Sequence, residues 1–242
     1  MSLETISKRQ QQVLHDKKWL KFLRRTWLFR YIPFVEFALA AGSMATGNVK
    51  PESDFDVIIG VRPGRIFTAR FFAVIGFGLF GWRRTRLNHK ETAADKICLN
   101  HFVTERSFKL SPPHDAYWQN LYRSLVPIFG AAEKINHFFE SNASWLAKER
   151  IYEDDLRHLY RKNSPAKSLL EFLLSGKFGN WLEAKLKTLQ VKRIEKSLES
   201  GVQGYQPRII YTDSELEFHP DTKRASEFST KALQKNTQDS GL

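Results

Sequence analysis

The sequence predicts an α+β fold: a mixed sheet flanked by helices, followed by a mostly helical C-terminal domain. Three observations predict it. Residues 1–110 alternate short apolar, strand-like runs with helical stretches. Residues 111–200 repeat apolar side chains at helical spacing. An apolar share of 42% over 242 residues is enough for a real core, in one large domain or two small ones. The boundary falls at Ser111-Pro112-Pro113-His114, because prolines punctuate elements. The expected organisation is a sheet domain over 1–110, a helical domain over 111–200, and an extended, partly disordered tail over 201–242.

Each element has its reason. Residues 3–31 read as an amphipathic helix: Trp19, Leu20, Phe22, Leu23, Trp27 and Leu28 keep helical spacing. Lys17, Lys21, Arg24 and Arg25 gather on another face, which suits a solvated face, a nucleic-acid strip or a membrane-surface helix. Phe34 to Ala41 is the first strand. Residues 42–50 hold a short helix, and Asp54 to Val61 is the second strand. Arg62-Pro63-Gly64 is a turn. Arg65 to Gly81 is an apolar helix whose only charges are Arg65 and Arg70. Its run Phe71 to Trp82 is interrupted by glycines and falls short of the roughly 20 residues a bilayer span needs, so a buried helix is expected. Arg83, Arg84, Arg86 and Lys90 form a basic loop, and Lys96 to Thr104 is the third strand. Beyond the boundary, Tyr117, Leu121, Leu125 and Ile128 predict one helix. Leu169, Phe172 and Leu173 predict another, started by Asn163-Ser164-Pro165, and Leu182, Leu186 and Leu189 a third. Arg208 to Tyr211 suits an edge strand, and the last 15 residues are polar enough to be disordered.

Composition narrows the function. The one cysteine, Cys98, excludes an internal disulfide and fits a reducing cytoplasmic compartment; in its apolar run it reads as a small buried hydrophobe. No His/Cys cluster has zinc spacing. Met1 to Asp16 is polar and does not read as a signal peptide. The net charge of +12 is uneven: residues 1–110 carry 19 Lys/Arg against 9 Asp/Glu, residues 111–242 carry 19 against 17. That field favours polyanions, namely a triphosphate and RNA or another polyanion; a membrane is not the expected partner.

The chemistry concentrates in Gly42-Ser43-Met44-Ala45-Thr46-Gly47 and Ser53-Asp54-Phe55-Asp56. Side chains at i and i+2 of a strand point the same way, so Asp54 and Asp56 converge. Two bare carboxylates repel, and a hard divalent cation such as Mg²⁺ is the simplest compensation. The glycines let a ligand approach the backbone N–H groups of the turn. A phosphate site beside a metal site suits phosphoryl or nucleotidyl transfer.

The spacing Gly-Ser, three residues, Gly, five residues, Ser-Asp-x-Asp resembles the signature of the polymerase-β-type nucleotidyltransferase superfamily. The resemblance is strong over about 30 residues and weak over the first 110 or so. It implies a nucleotidyltransferase-type sheet, with Gly42, Ser43, Gly47 and Ser53 binding nucleotide and Asp54 and Asp56 as catalytic Mg²⁺ ligands. It implies transfer of a nucleoside monophosphate from a nucleoside triphosphate to an acceptor hydroxyl. It also implies a third carboxylate on a neighbouring strand, and here the sequence departs from the pattern. The strand Asp95-Lys96-Ile97-Cys98-Leu99-Asn100-His101-Phe102 places Asn100, not an acid, between apolar neighbours. Asp95 is an acid but points to the opposite face, and Glu36 reads as an edge side chain. Asn100 and Asp95 are thus the alternative third-ligand positions. With Asn100 in the slot, the expected alternative to an enzyme is a nucleotide- or RNA-binding module without turnover. A third reading is a peripheral membrane protein using the basic aromatic helix and the 71–82 run.

Overall fold

The computed structural model describes residues 3–85, 93–112, 114, 118, 119, 122, 124–146, 163–199 and 208–219. It is α+β: a six-stranded mixed open sheet with helices on both faces. The strands are β1 (Val35–Ala40), β2 (Phe55–Val61), β3 (Ile97–Thr104), β4 (Val126–Gly130), β5 (Arg208–Tyr211) and β6 (Glu215–His219). The helices are α1 (Leu3–Thr26), α2 (Gly42–Thr46), α3 (Ile66–Leu79), α4 (Ala132–Ser141), α5 (Pro165–Leu173) and α6 (Lys177–Glu199). Strand order is β4-β1-β2-β3-β6-β5; only β2 and β3 run parallel. The parallel step is the one bridged by a helix, α3, as a parallel crossover requires.

The alternation of β2 sorts its residues onto two cores. Phe55, Val57 and Ile59 face a layer containing Phe22 of α1 and Phe67 and Phe77 of α3. Ile58 faces the other layer, with Phe108, Trp118 and Phe138 of α4. Phe22 stacks on Phe55 at 4.8 Å between centroids and is fully buried, so its truncation to alanine costs about 3–5 kcal/mol. Asp56 in the strand and Asp54 just before it alternate with Phe55 and so fall on the Ile58 side, their oxygens within 4.8 Å of each other.

The sheet departs from the sequence expectation at three places. First, a strand comes from 111–200: β4 lies there, while β5 is the edge strand expected at Arg208 to Tyr211, joined to the sheet through β6. The helix expected through Leu125 and Ile128 gives way to β4, which pairs with β1. Pro127 has no N–H to give a helix, and it is tolerated at an edge strand where the register shifts between Ala38 and Leu39. Second, Leu169, Phe172 and Leu173 form a helix as expected but face outward, Phe172 being 78% exposed. Polar tethers orient α5 instead. Glu171 accepts hydrogen bonds from the Phe34 N–H at 2.7 Å and the Arg62 guanidinium at 2.9 Å, while buried Lys167 donates to the Val35 carbonyl. Third, the helix expected to be buried over Phe71 to Trp82 emerges at its end, leaving Leu79 81% and Phe80 49% exposed. Among the described residues, no helix is long and apolar enough to cross a membrane. The expected disorder of the last 15 residues, and Tyr117, Leu121, Arg86, Lys90 and Glu91, lie outside the described residues.

Candidate functional site

The turn after β1 is built around one close approach. Gly42 has φ +63°, and a Cβ there would lie 2.4 Å from Asp56 Oδ2. Only glycine lets the turn sit directly on the carboxylate. The Ala41 N–H donates to the Asp56 carbonyl at 3.0 Å, which locks the turn to β2. Gly47 ends α2 with φ +76° and open space around its α-carbon, so it serves the backbone and not a close contact. Ser53 closes the following turn: its hydroxyl accepts the Lys50 N–H at 2.9 Å, and its N–H donates to the Lys50 carbonyl at 3.0 Å. Ser43 lies in the first turn of α2 beside Gly42.

Helix α1 clamps this loop from the other side. Gln11 donates to the carbonyls of Gly47 at 3.1 Å and Val49 at 2.9 Å. Lys18, buried along its whole length, donates to Pro51 O at 3.0 Å, Ser53 O at 2.9 Å and Asp95 Oδ1 at 2.8 Å. A buried ammonium is tolerated because all three of its protons are used. The sequence reading missed Lys18. It lies between the exposed cation Lys17 and the buried ring of Trp19, and only that mismatch in burial pattern marks it.

The two aspartates do converge, and the third position is neutral. In the parallel register Asp56 faces Cys98, and Asn100 donates to Asp56 Oδ1 at 3.3 Å. An irregularity in the ladder between Asp56 and Ile58 brings both Cys98 and Asn100 to this carboxylate. Ligand atoms of Asp54, Asp56 and Cys98 all lie within 4.8 Å of one another. Cys98 therefore lines the site, which the sequence reading did not foresee; its i, i+2 relation to Asn100 is the signal. The Asp95 side chain is elsewhere: it pairs with Lys18 at 2.8 Å and Lys21 at 2.5 Å, and these cations hold its carboxyl below the ordinary range despite partial burial. Glu36 also stays away from the site, 4.0 Å from Lys134.

Electrostatics mark the site as short of positive charge. Burial, and then the charge of Asp54, push the Asp56 carboxyl up to about 7. Burial beside the carboxylates pushes the Cys98 thiol well up, so the sulfur stays protonated and is a poor ligand for a hard cation. One internal cation answers the deficit. Arg84, from the stretch that bridges to Ile97 alongside β3, donates to Asp54 Oδ2 at 2.7 Å. Burial works against its charge, but Asp54 together with Cys98 and Asp56 outweighs that and holds the guanidinium above its ordinary value. The oxygens of Asp54 and Asp56 fit one hard divalent cation; the described residues near them supply no third carboxylate for a second.

A second titratable group, His101, Glu215 and Glu217, lies buried between β3 and β6. Its members have internal partners: His101 Nε2 lies 3.2 Å from Glu215 Oε1, and Arg208 donates to Glu217 at 2.7 Å. Comparison of the chain with protein-family models, curated proteins and solved structures found no match.

Proposed function

We propose that the chain is a nucleotidyltransferase-fold enzyme that moves a nucleoside monophosphate from a nucleoside triphosphate to an acceptor hydroxyl. The observation that carries this reading is the seating of the Gly42-Ser43 turn directly on Asp56, beside Asp54. That arrangement sets phosphate-binding backbone N–H groups against a carboxylate pair. Mg²⁺ held by Asp54 and Asp56 would offset triphosphate charge and activate the leaving pyrophosphate. The chain's own part is positional. The turn at Gly42 and Ser43 receives the outer phosphates. Gly47 and Ser53 hold the loop that keeps them in place. Arg84 stands where it can exchange Asp54 for a phosphate oxygen. The acceptor oxygen forms its bond to the α-phosphorus as the bond to the pyrophosphate oxygen breaks. Asn100 cannot take the acceptor's proton, which a carboxylate of the Asp54–Asp56 pair or water would receive.

A specific observation favours a second reading. Asn100 and a protonated Cys98 occupy the third-ligand face, which suits a nucleotide- or RNA-binding module that does not turn over. One experiment separates the two. Calorimetry measures triphosphate binding with and without Mg²⁺, and pyrophosphate release is followed in the same samples. The wild type binds in a Mg²⁺-dependent way, and Asp54→Asn with Asp56→Asn weakens binding at least about tenfold, the cost of losing hard anionic ligands. Pyrophosphate release assigns the enzyme, and binding without release assigns the module. Triphosphate binding that is unchanged in the double variant sinks both.

A further inference from the structure

The end of α3 is an apolar tip set in a basic surface. Leu79 and Phe80 project from a turn closed by Gly81 N–H to Gly78 O at 2.9 Å and Trp82 N–H to Phe77 O at 2.9 Å. The tip is braced from beneath. Phe80 stacks on Trp82 at 4.6 Å, and Trp27 meets both rings edge-on at 5.9 and 6.4 Å. Through Trp27 the tip continues along α1, whose exposed stripe carries Lys17, Leu20 and Arg24 at helical spacing. No acidic side chain occurs in the sequence between Asp16 and Glu36, or between Asp56 and Glu91. The two segments that contribute to this face thus carry cations and no acid of their own, while Asp95 from outside them pairs with Lys18 and Lys21.

The geometry points to a docking surface for an anionic lipid membrane, with Leu79 and Phe80 entering the headgroup boundary and Lys17 and Arg24 over anionic headgroups. The chemistry selects lipid over two competitors. An RNA strand needs open ring faces for base stacking, but the rings of Phe80 and Trp82 cover each other, and Arg25 lies over Trp82 at 5.6 Å. The most exposed apolar group is an aliphatic leucine, which offers a base nothing to stack on. A second copy docked face to face would set Lys17 and Arg24 against their own copies, and like charges at close range repel. An anionic bilayer answers both the apolar tip and the positive rim. This surface is distinct from the phosphate turn, and its test does not depend on nucleotide chemistry.

The test is co-sedimentation with lipid vesicles, of phosphatidylcholine alone and with about a third phosphatidylglycerol. The wild type should pellet with the anionic vesicles and stay in solution with the neutral ones, with binding weakened by added salt. Leu79→Glu with Phe80→Glu should lower the partition coefficient at least about tenfold, since two apolar side chains lose their burial and two anions oppose the lipid. Both residues are exposed, and circular dichroism checks that the variant is folded. Lys17→Glu with Arg24→Glu, on the far side of Trp27, gives an independent second variant and should also weaken binding to anionic vesicles. Asp54→Asn with Asp56→Asn should bind vesicles as the wild type does, so failure of the nucleotide reading is read separately. Absence of wild-type binding to anionic vesicles overturns the proposal. So does binding that survives both tip and rim substitutions. A wild-type dimer that Leu79→Glu with Phe80→Glu dissociates, without vesicle binding, reassigns the face to self-association. RNA binding lost in that variant, again without vesicle binding, reassigns it to nucleic acid.

Discussion

Asn100 and Gly42 carry the chemistry of the site at the scale of single residues. Asn100 donates to Asp56 and so stabilises the carboxylate pair without adding a third charge. Asn100→Asp removes that donor and places a third carboxylate beside two others. Without metal the variant should be less stable than the wild type by about 1–3 kcal/mol, from like-charge repulsion and a lost hydrogen bond. With Mg²⁺ it should recover, and its Mg²⁺ affinity should exceed the wild type's, because a hard anionic ligand has been added. Thermal unfolding with and without Mg²⁺ reads both effects; an equal metal-induced rise in Tm for the two proteins would show that position 100 does not face the ion. The glycines separate close approach from backbone freedom. Gly42→Ala drives a methyl group into Asp56 and should abolish triphosphate binding, with a stability loss of about 1–3 kcal/mol. Gly47→Ala meets open space and should cost only about 1 kcal/mol for its left-handed backbone, with binding retained. Equal losses of binding in the two variants would contradict the seating of the turn on Asp56.

At the scale of elements, side chains distant in sequence fasten helices to the sheet through unsatisfied backbone donors. The first turn of α3 has no capping side chain of its own. Glu183 of α6 supplies one, accepting the Phe67 N–H at 2.9 Å and the Thr68 N–H at 2.8 Å. Its charge also suits the positive end of the α3 dipole. Glu183→Ala leaves two helix-terminal donors without their acceptor and should destabilise the protein by about 1–2 kcal/mol, the usual worth of a cap. Urea unfolding measures this, and a change within about 0.5 kcal/mol, typical of plain surface substitutions, would show the contact to be dispensable. Glu171 does the same for the entry to β1, where Phe34 holds a φ of +64° that a bulky side chain rarely adopts. The outward apolar face of α5 follows from these tethers: polar contacts to particular backbone groups chose the inward side.

The whole molecule carries a stability term that depends on pH through Lys167. This side chain is almost fully buried between α5 and the sheet, donating to the Val35 carbonyl and to Asn163 Oδ1 at 2.8 Å, with Glu171 3.8 Å away. Burial pulls its ammonium down to about 8 from 10.5, against the pull of Glu171 and Glu36 and with the push of Arg62. Below pH 8 the group is charged in both folded and unfolded chains, and its burial cost is fully present. Between 8 and 10.5 the unfolded chain holds more protons than the folded one, so this term raises stability as pH rises. Lys167→Met should lack that rise. Urea midpoints of both proteins at roughly pH 7 and roughly pH 10 test it, read as the difference between them so that other titrations cancel. Parallel changes in the two proteins would show that Lys167 titrates normally.

The sequence by itself determined the local features. It gave β1 to β3, α1 to α3 and their order, because period and turn chemistry are written in adjacent residues. It also determined that Asp54 and Asp56 share a strand face, because the i, i+2 rule needs only one strand. Tertiary structure decided everything that needed a partner strand. Whether Asn100 or Asp95 reaches Asp56 depended on the parallel register of β2 and β3 and its irregularity, which no single strand encodes. Cys98 became a site residue for the same reason. Arg84 was legible as part of the basic loop and Lys18 was not marked out, until packing set Lys18 on the loop carbonyls and Arg84 on Asp54. The β4 strand and the β5–β6 hairpin joined the sheet through pairings more than 80 residues apart in the chain. Long-range pairing is fixed by the shape of the surface already assembled, and that surface exists only once the chain has folded.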